Sequence, residues 1–402
     1  MSSLSASAAL LQQLIQCPSV TPHEGGALSL LEERLTALGF QVVRKTFSAP
    51  DTPDVENLYA RLGKSSPNFC FAGHTDVVPV GDEAHWSSGP FEGAVQDGEM
   101  TGRGAVDMKG GIACFVAAVE QYLSDKVSFD GSISLLITGD EEGPAINGTS
   151  AILDWLQQQG EKIDACIVGE PTNPQAMGDA IKIGRRGSVS GTLTVTGIQG
   201  HAAYPHLADN PARGIIALTH ALMDPPFDEG TEDFQPTNLE ETSIDIDNPA
   251  FNVIPAQASA RFNVRFNDTW TAETIKQEIE SRLSRAAEAT GLRAPVDGKS
   301  RPPVQFELAY SGRPSHVFLT RDDKLISTLS KAVEAVTGRS PDLSTGGGTS
   351  DARFIKDVCP VVEFGLVGQT MHQVDERVAL DDLETLTTIY QRFLDDYFST
   401  PS

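Results

Sequence analysis

Asn68-Phe69-Cys70-Phe71-Ala72-Gly73-His74-Thr75-Asp76 is an uncharged, mostly apolar run that ends abruptly in polar side chains. It reads as a buried strand, Asn68 to Ala72, whose carboxyl end carries chemistry. The surrounding runs repeat the design. Phe40 to Phe47, Asn57 to Leu62, Ser132 to Thr138 and Ala165 to Val168 are short and strand-like, and helical patterns at 4–16, 26–38, 109–123 and 149–159 alternate with them. Such alternation predicts an α/β domain with a parallel or mixed sheet.

The rhythm changes near residue 186. A strand (Ser188 to Val195), a helix (Pro211 to Leu222), two strands (Ser243 to Ile246 and Ala258 to Phe266), a helix (Ala272 to Ala287) and a strand (Val304 to Tyr310) follow in the order βαββαβ. That order predicts a two-layer α+β domain inserted into the first. The remainder returns to helix, strand (Cys359 to Phe364) and helix, which completes the first sheet. The expected division is 1–185 and 314–402 for the α/β domain and 186–313 for the insertion.

Composition limits what such a protein can do. The chain has 402 residues, with 30 Lys+Arg against 55 Asp+Glu and a formal net charge of −25. This is the wrong sign for binding nucleic acid or an anionic membrane surface. There is no apolar run long enough to span a bilayer, and the start lacks the basic residues of a signal or transit peptide. The five cysteines (Cys17, Cys70, Cys114, Cys166, Cys359) are scattered, mostly in apolar runs, and read as reduced packing residues of a cytoplasmic protein.

In an open α/β sheet, loops beyond the carboxyl ends of the strands converge on a crevice. Here such loops carry His74 and Asp76, Glu141 and Glu142, Glu170, and His372, while Gly102 to Gly110, containing Asp107, leads into a helix. A lone histidine or glutamate there usually caps a loop. Two histidines and several carboxylates on one sheet edge are a different matter. Imidazole nitrogen and carboxylate oxygen, without thiolate, suit catalytic zinc, cobalt or manganese.

The segments around His74, Asp107, Glu141-Glu142, Glu170 and His372 resemble the co-catalytic metallopeptidases and deacylases of the aminoacylase, carboxypeptidase G2 and desuccinylase group. Three further stretches draw the resemblance toward the desuccinylases: Gly197 to His206, Ser344 to Phe354, and Met371 to Glu376. It implies two zinc ions, with cobalt or manganese as substitutes. His74 and Glu170 would hold one, Glu142 and His372 the other, and Asp107 would bridge them. It further implies Glu141 as general base, the Asp76 carboxylate orienting His74, and a cis peptide after Asp107. The inserted domain would serve as dimerisation and lid domain of a homodimer, with His201 reaching the active site of the partner subunit as oxyanion donor.

A small anionic amide substrate must overcome the acidic global field through local cations. Ile181 to Gly187 brings Lys182, Arg185 and Arg186 together without an acid, and Arg265 lies on a strand of the insertion. Arginine suits a planar carboxylate. Arg185 or Arg186, with Tyr204, Asn252 and Arg265, is the expected substrate holder. The glycine- and hydroxyl-rich run Thr345 to Ser350 can cradle an anion with backbone amides, with Gly348 and Thr349 receiving one end of the substrate. A sister deacetylase, dipeptidase or carboxypeptidase would share every ligand and differ in this pocket. A non-catalytic scaffold is disfavoured because all five ligands and the base are present.

Overall fold

Ser132–Thr138, with every residue buried, illustrates how the first domain is built. A strand covered on both faces needs no polar face, and here Ile133, Leu135, Leu136 and Ile137 are accompanied only by small hydroxyl side chains. The computed structural model describes residues 4–125, 128–289 and 303–399. They form two compact units, one of residues 1–184, 319–344 and 350–402, the other of 185–318 and 345–349. The glycine-rich run thus groups with the insertion.

The first unit holds an eight-stranded mixed sheet in the order 41–47, 55–63, 132–138, 68–74, 165–168, 361–363, 180–182, 342–344. Its four central strands are mutually parallel. Their carboxyl ends therefore lie on one edge. The helices Ala6–Ile15, Lys109–Asp125 and Leu380–Ser399 pack together, with their apolar faces in the main core. Phe71 of a central strand stacks on Phe115 of the second helix at 4.3 Å between centroids, worth about 1 kcal/mol beyond burial alone. Close approach of this helix needs Gly111, because a Cβ there would lie 2.5 Å from the Gly169 carbonyl.

The second unit has a four-stranded antiparallel sheet in the order 238–245, 257–266, 187–196, 305–315. Burial alternates along Gly187–Thr196, and the buried face packs on the helices Pro211–Met223 and Ala272–Ala289. The edge strand runs Asn238–Asp245, five residues earlier than Ser243 to Ile246. Its polar Asn-Leu-Glu-Glu start hid it, since an edge strand tolerates charges that a central one does not. The short strands Ala180–Lys182 and Asp342–Ser344 escaped the sequence pattern because three residues carry no periodicity.

Among the described residues no helix is long and apolar enough to cross a membrane. All five cysteines are unpaired, and all but Cys17 are buried.

Candidate metal centre

His74 closes a central strand, Glu141 and Glu142 follow the strand ending at Thr138, and Glu170 follows the one ending at Val168. Asp107 precedes the helix beginning at Lys109, through a cis Asp107–Met108 peptide of the kind the resemblance implied. His372 comes from the loop after Val361–Glu363, in a left-handed conformation at φ 63°. Adjacent parallel strands thus deliver residues from distant parts of the sequence to one place.

The Asp107 carboxylate stands between the two histidines. Its Oδ1 lies 3.2 Å from His74 Nε2 and its Oδ2 lies 3.1 Å from His372 Nε2. Glu170 Oε1 is 3.8 Å from His74 Nε2, and Glu142 Oε1 is 2.9 Å from His372 Nε2. Donor atoms of His74, Asp107 and Glu142 lie within 4.8 Å of one another, as do those of His74, Glu141 and Glu170. Glu141 therefore faces the His74–Glu170 side and Glu142 the His372 side.

Asp76 acts on His74 differently from expectation. Its backbone carbonyl, 2.9 Å from His74 Nδ1, is the hydrogen-bonding group, while its carboxylate Oδ1 lies 3.6 Å away. That carboxylate instead accepts the backbone N–H groups of Glu141 at 3.3 Å and Glu142 at 3.0 Å. One residue so orients the imidazole and shapes the Glu141-Glu142 turn.

The electrostatics are those of a donor set short of positive charge. Burial pushes the Glu141 carboxyl up to about 8, opposed by His74 and reinforced by Asp351, Glu142 and Asp107. Burial and the Asp107 charge push Glu170 well up. Burial raises Asp76 to about 6 despite His74. The bonds to Asp107 and Glu142 lift His372 to about 10. Against burial, the two histidines hold Asp107 well below the usual carboxylate range, and Asp107, Asp76 and Glu170 raise His74 well above 6.5. Four carboxylates and two imidazoles crowded this way fit divalent cations, and oxygen and nitrogen donors fit zinc, cobalt or manganese.

The remaining expected residues belong to the second unit. His201 is exposed on a ribbon in which it pairs with Val253, and its Nδ1 accepts the Ala203 N–H at 3.1 Å. Tyr204 lies beside it, ring centroids 5.6 Å apart, and the Asn252 carbonyl accepts the Ala202 N–H at 2.9 Å. His201, Tyr204 and Asn252 are thereby brought together. Buried Arg185 donates to the Gly346 carbonyl at 3.1 Å, within the glycine-rich run that also holds exposed Gly348 and half-buried Thr349. Arg186 is occupied elsewhere, donating to Asn238 Oδ1 at 2.8 Å and to the Pro236 carbonyl. Arg265 sits on Gln257–Phe266, paired in register with Ser188 and Asn238.

Sequence reasoning passed over three buried charges. Arg103 and Glu376 form an ion pair at 2.7 Å, and Asp351 accepts the Thr149 hydroxyl at 2.7 Å. Each lies inside a stretch already singled out, so a charge between glycines or beside a ligand was the available signal.

Nitrogen and oxygen donors converging at the ends of parallel strands define the site of a metal-dependent hydrolase. The chain belongs to peptidase family M20/M25/M40, whose model matches residues 70–396, and so acts on amide bonds. Solved structures share the fold. The M20 family metallo-carboxypeptidase Sso-CP2 of Sulfolobus solfataricus superposes with a TM-score of 0.75 at 17% identity, covering 99% of this chain and 100% of that one. Aminopeptidase PepT of Bacillus cereus gives 0.77 at 16%, covering 98% of each. The YXEP protein of Bacillus subtilis, described as a dinuclear metal binding peptidase, gives 0.65 at 15%, covering 98% and 97%.

Proposed function

We propose that the protein hydrolyses N-succinyl-LL-2,6-diaminopimelate to succinate and LL-2,6-diaminopimelate, a step of lysine and cell-wall precursor synthesis in the cytoplasm. The observation that carries hydrolysis is Asp107, one carboxylate oxygen toward each histidine. His74 and Glu170 on one side and Glu142 and His372 on the other, with Asp107 common to both, would hold two zinc ions.

Such ions, when bound, polarise an amide carbonyl and acidify water. Glu141 takes the proton from the attacking water and returns it to the leaving amine, a role suited by a carboxylate that faces the His74–Glu170 side of the cluster. Asp76 keeps His74 and the Glu141-Glu142 turn in place through its carbonyl and carboxylate. Support for a succinylated substrate comes from Arg185 beside the glycine-rich run and from the resemblance at Gly197 to His206. Arg185, Arg265, Tyr204 and Asn252 would hold carboxylate and backbone groups, Gly348 and Thr349 the far end.

The same reading makes the protein a homodimer in which His201 donates to the oxyanion at the active site of the partner subunit. His201→Ala should leave metal content unchanged and cut turnover on the order of 100-fold; unchanged turnover would remove it from the mechanism.

The deciding experiment offers the zinc-loaded protein N-succinyl-diaminopimelate, N-acetylornithine and several dipeptides, with and without chelator. Chelator-sensitive release of succinate alone is the expected result. Preference for acetylornithine or a dipeptide would keep the metal centre and overturn the pocket reading.

A further inference from the structure

The two ends of the metal cluster are tied to one buried ion pair. Glu376 is 0% exposed and Arg103 2%. Through Oε1, Glu376 accepts the backbone N–H of Val106 at 2.9 Å and of Asp107 at 3.2 Å. Its Oε2 accepts from Arg103 Nη1 at 2.7 Å. The same guanidinium donates to the backbone carbonyls of Gln373 at 3.1 Å and His372 at 3.4 Å, and its Cζ lies 5.2 Å from the centroid of the Trp86 ring. The main chains of the bridging aspartate and of the last histidine are thus held by opposite ends of a single charge pair.

His372 needs such a hold more than His74 does. The His74 ring is fixed through its second nitrogen by the Asp76 carbonyl. Among the described residues, the His372 ring has partners only for Nε2, and nearly half of its side chain is exposed. Its backbone is also left-handed, as is that of Asp375, a conformation that side chains bearing a Cβ adopt only when their surroundings impose it. Asp375 is in turn tied to Ser87, accepting its N–H at 2.8 Å and its hydroxyl at 3.0 Å. The ring of His372 is aimed by its main chain, and that main chain is aimed by Arg103.

We infer that Arg103 and Glu376 are positioning residues that set the distance between Asp107 and His372 and thereby the affinity of the Glu142–His372 metal position. The His74–Glu170 position shares Asp107, but its histidine is held independently by the Asp76 carbonyl, so it depends on the pair less. A merely structural pair would weaken the fold and both metal positions alike; this pair weakens one far more than the other.

The inference rests on the two-metal reading, and the test separates them. Wild-type, Glu376→Gln and Arg103→Lys proteins are stripped with chelator and titrated with cobalt, following heat of binding and the visible cobalt spectrum. Two ions on the wild type uphold the two-metal reading; fewer would refute it. Granted two, Glu376→Gln should leave one ion within about threefold and weaken the other by about 10- to 100-fold, the usual effect of losing a group that orients a ligand. Arg103→Lys keeps the charge but loses the fork that reaches two carbonyls, and should show the same selective loss in milder form, which preserves the test if Glu376→Gln does not fold. Equal weakening of both ions, or of neither, would overturn the inference.

Discussion

Glu141 and Glu142 are neighbours in sequence, yet one carboxylate faces His74 and Glu170 while the other reaches His372 at 2.9 Å. The division follows from the turn beyond Thr138, which Asp76 fixes through both backbone N–H groups. Glu141→Gln should retain both ions by elemental analysis while turnover falls about 100- to 10,000-fold. Loss of an ion would make Glu141 a ligand. At this scale the clustered histidines and carboxylates were legible because residue type and position at a strand end suffice to suggest them. Arg103 and Glu376 were not, because their role depends on burial and on a contact between residues 273 apart in sequence.

Elements were legible where periodicity or length was strong. Ser132–Thr138 and Ala165–Val168 fall where the apolar runs placed them. The helix Lys109–Asp125 shows what packing adds: its second glycine faces the Gly169 carbonyl one residue before Glu170. Gly111→Ala must push helix and strand apart, costing roughly 1–3 kcal/mol by denaturant unfolding and lowering metal affinity as Asp107 and Glu170 separate; unaltered affinity would show that the two move as one. In the insertion, the polar segment 224–241 is ordered by Asp228, whose carboxylate accepts from Gly230 N, Thr237 N, Asn267 Nδ2 and Trp270 Nε1 at 2.6 to 3.0 Å. Burial raises this carboxyl, but the donated bonds outweigh it and leave the folded-state pKa below the ordinary value. A depressed pKa contributes stability that is present above the unfolded value of about 4 and is lost as pH falls through the folded one. Asp228→Ala should therefore destabilise the insertion by about 1–2 kcal/mol at neutral pH, with the difference from wild type shrinking below about pH 4. A constant difference from pH 7 to pH 3 would show that the charge is not what the donors recognise.

At the scale of the whole molecule, metal binding and folding are linked, because ions that bind only the folded state stabilise it by mass action. Each ion held at a hundred times its dissociation constant adds about 2.7 kcal/mol. Chelation should then lower the melting temperature of the first unit by roughly 5–10 °C per ion. The second unit contains none of the clustered histidines and carboxylates and should keep its own transition. A calorimetric scan showing both transitions shifted alike would mean that the units unfold as one. For the proposed anionic substrate, the net charge of −25 opposes approach at long range, and buried Arg185 at the glycine-rich run is the proposed answering cation.

The sequence by itself determined that a mixed α/β sheet carries an inserted βαββαβ domain, and that two histidines and four carboxylates belong to one metal-type site, because hydrophobic period and strand-end chemistry are local properties. Tertiary structure alone decided that Asp107 turns one oxygen to each histidine, that the Asp76 carbonyl rather than its carboxylate bonds His74, that Arg186 is spent on Asn238 while Arg185 meets Gly346, and that Arg103 and Glu376 brace the cluster. These are matters of distance and burial between segments far apart in the chain, which no local pattern encodes.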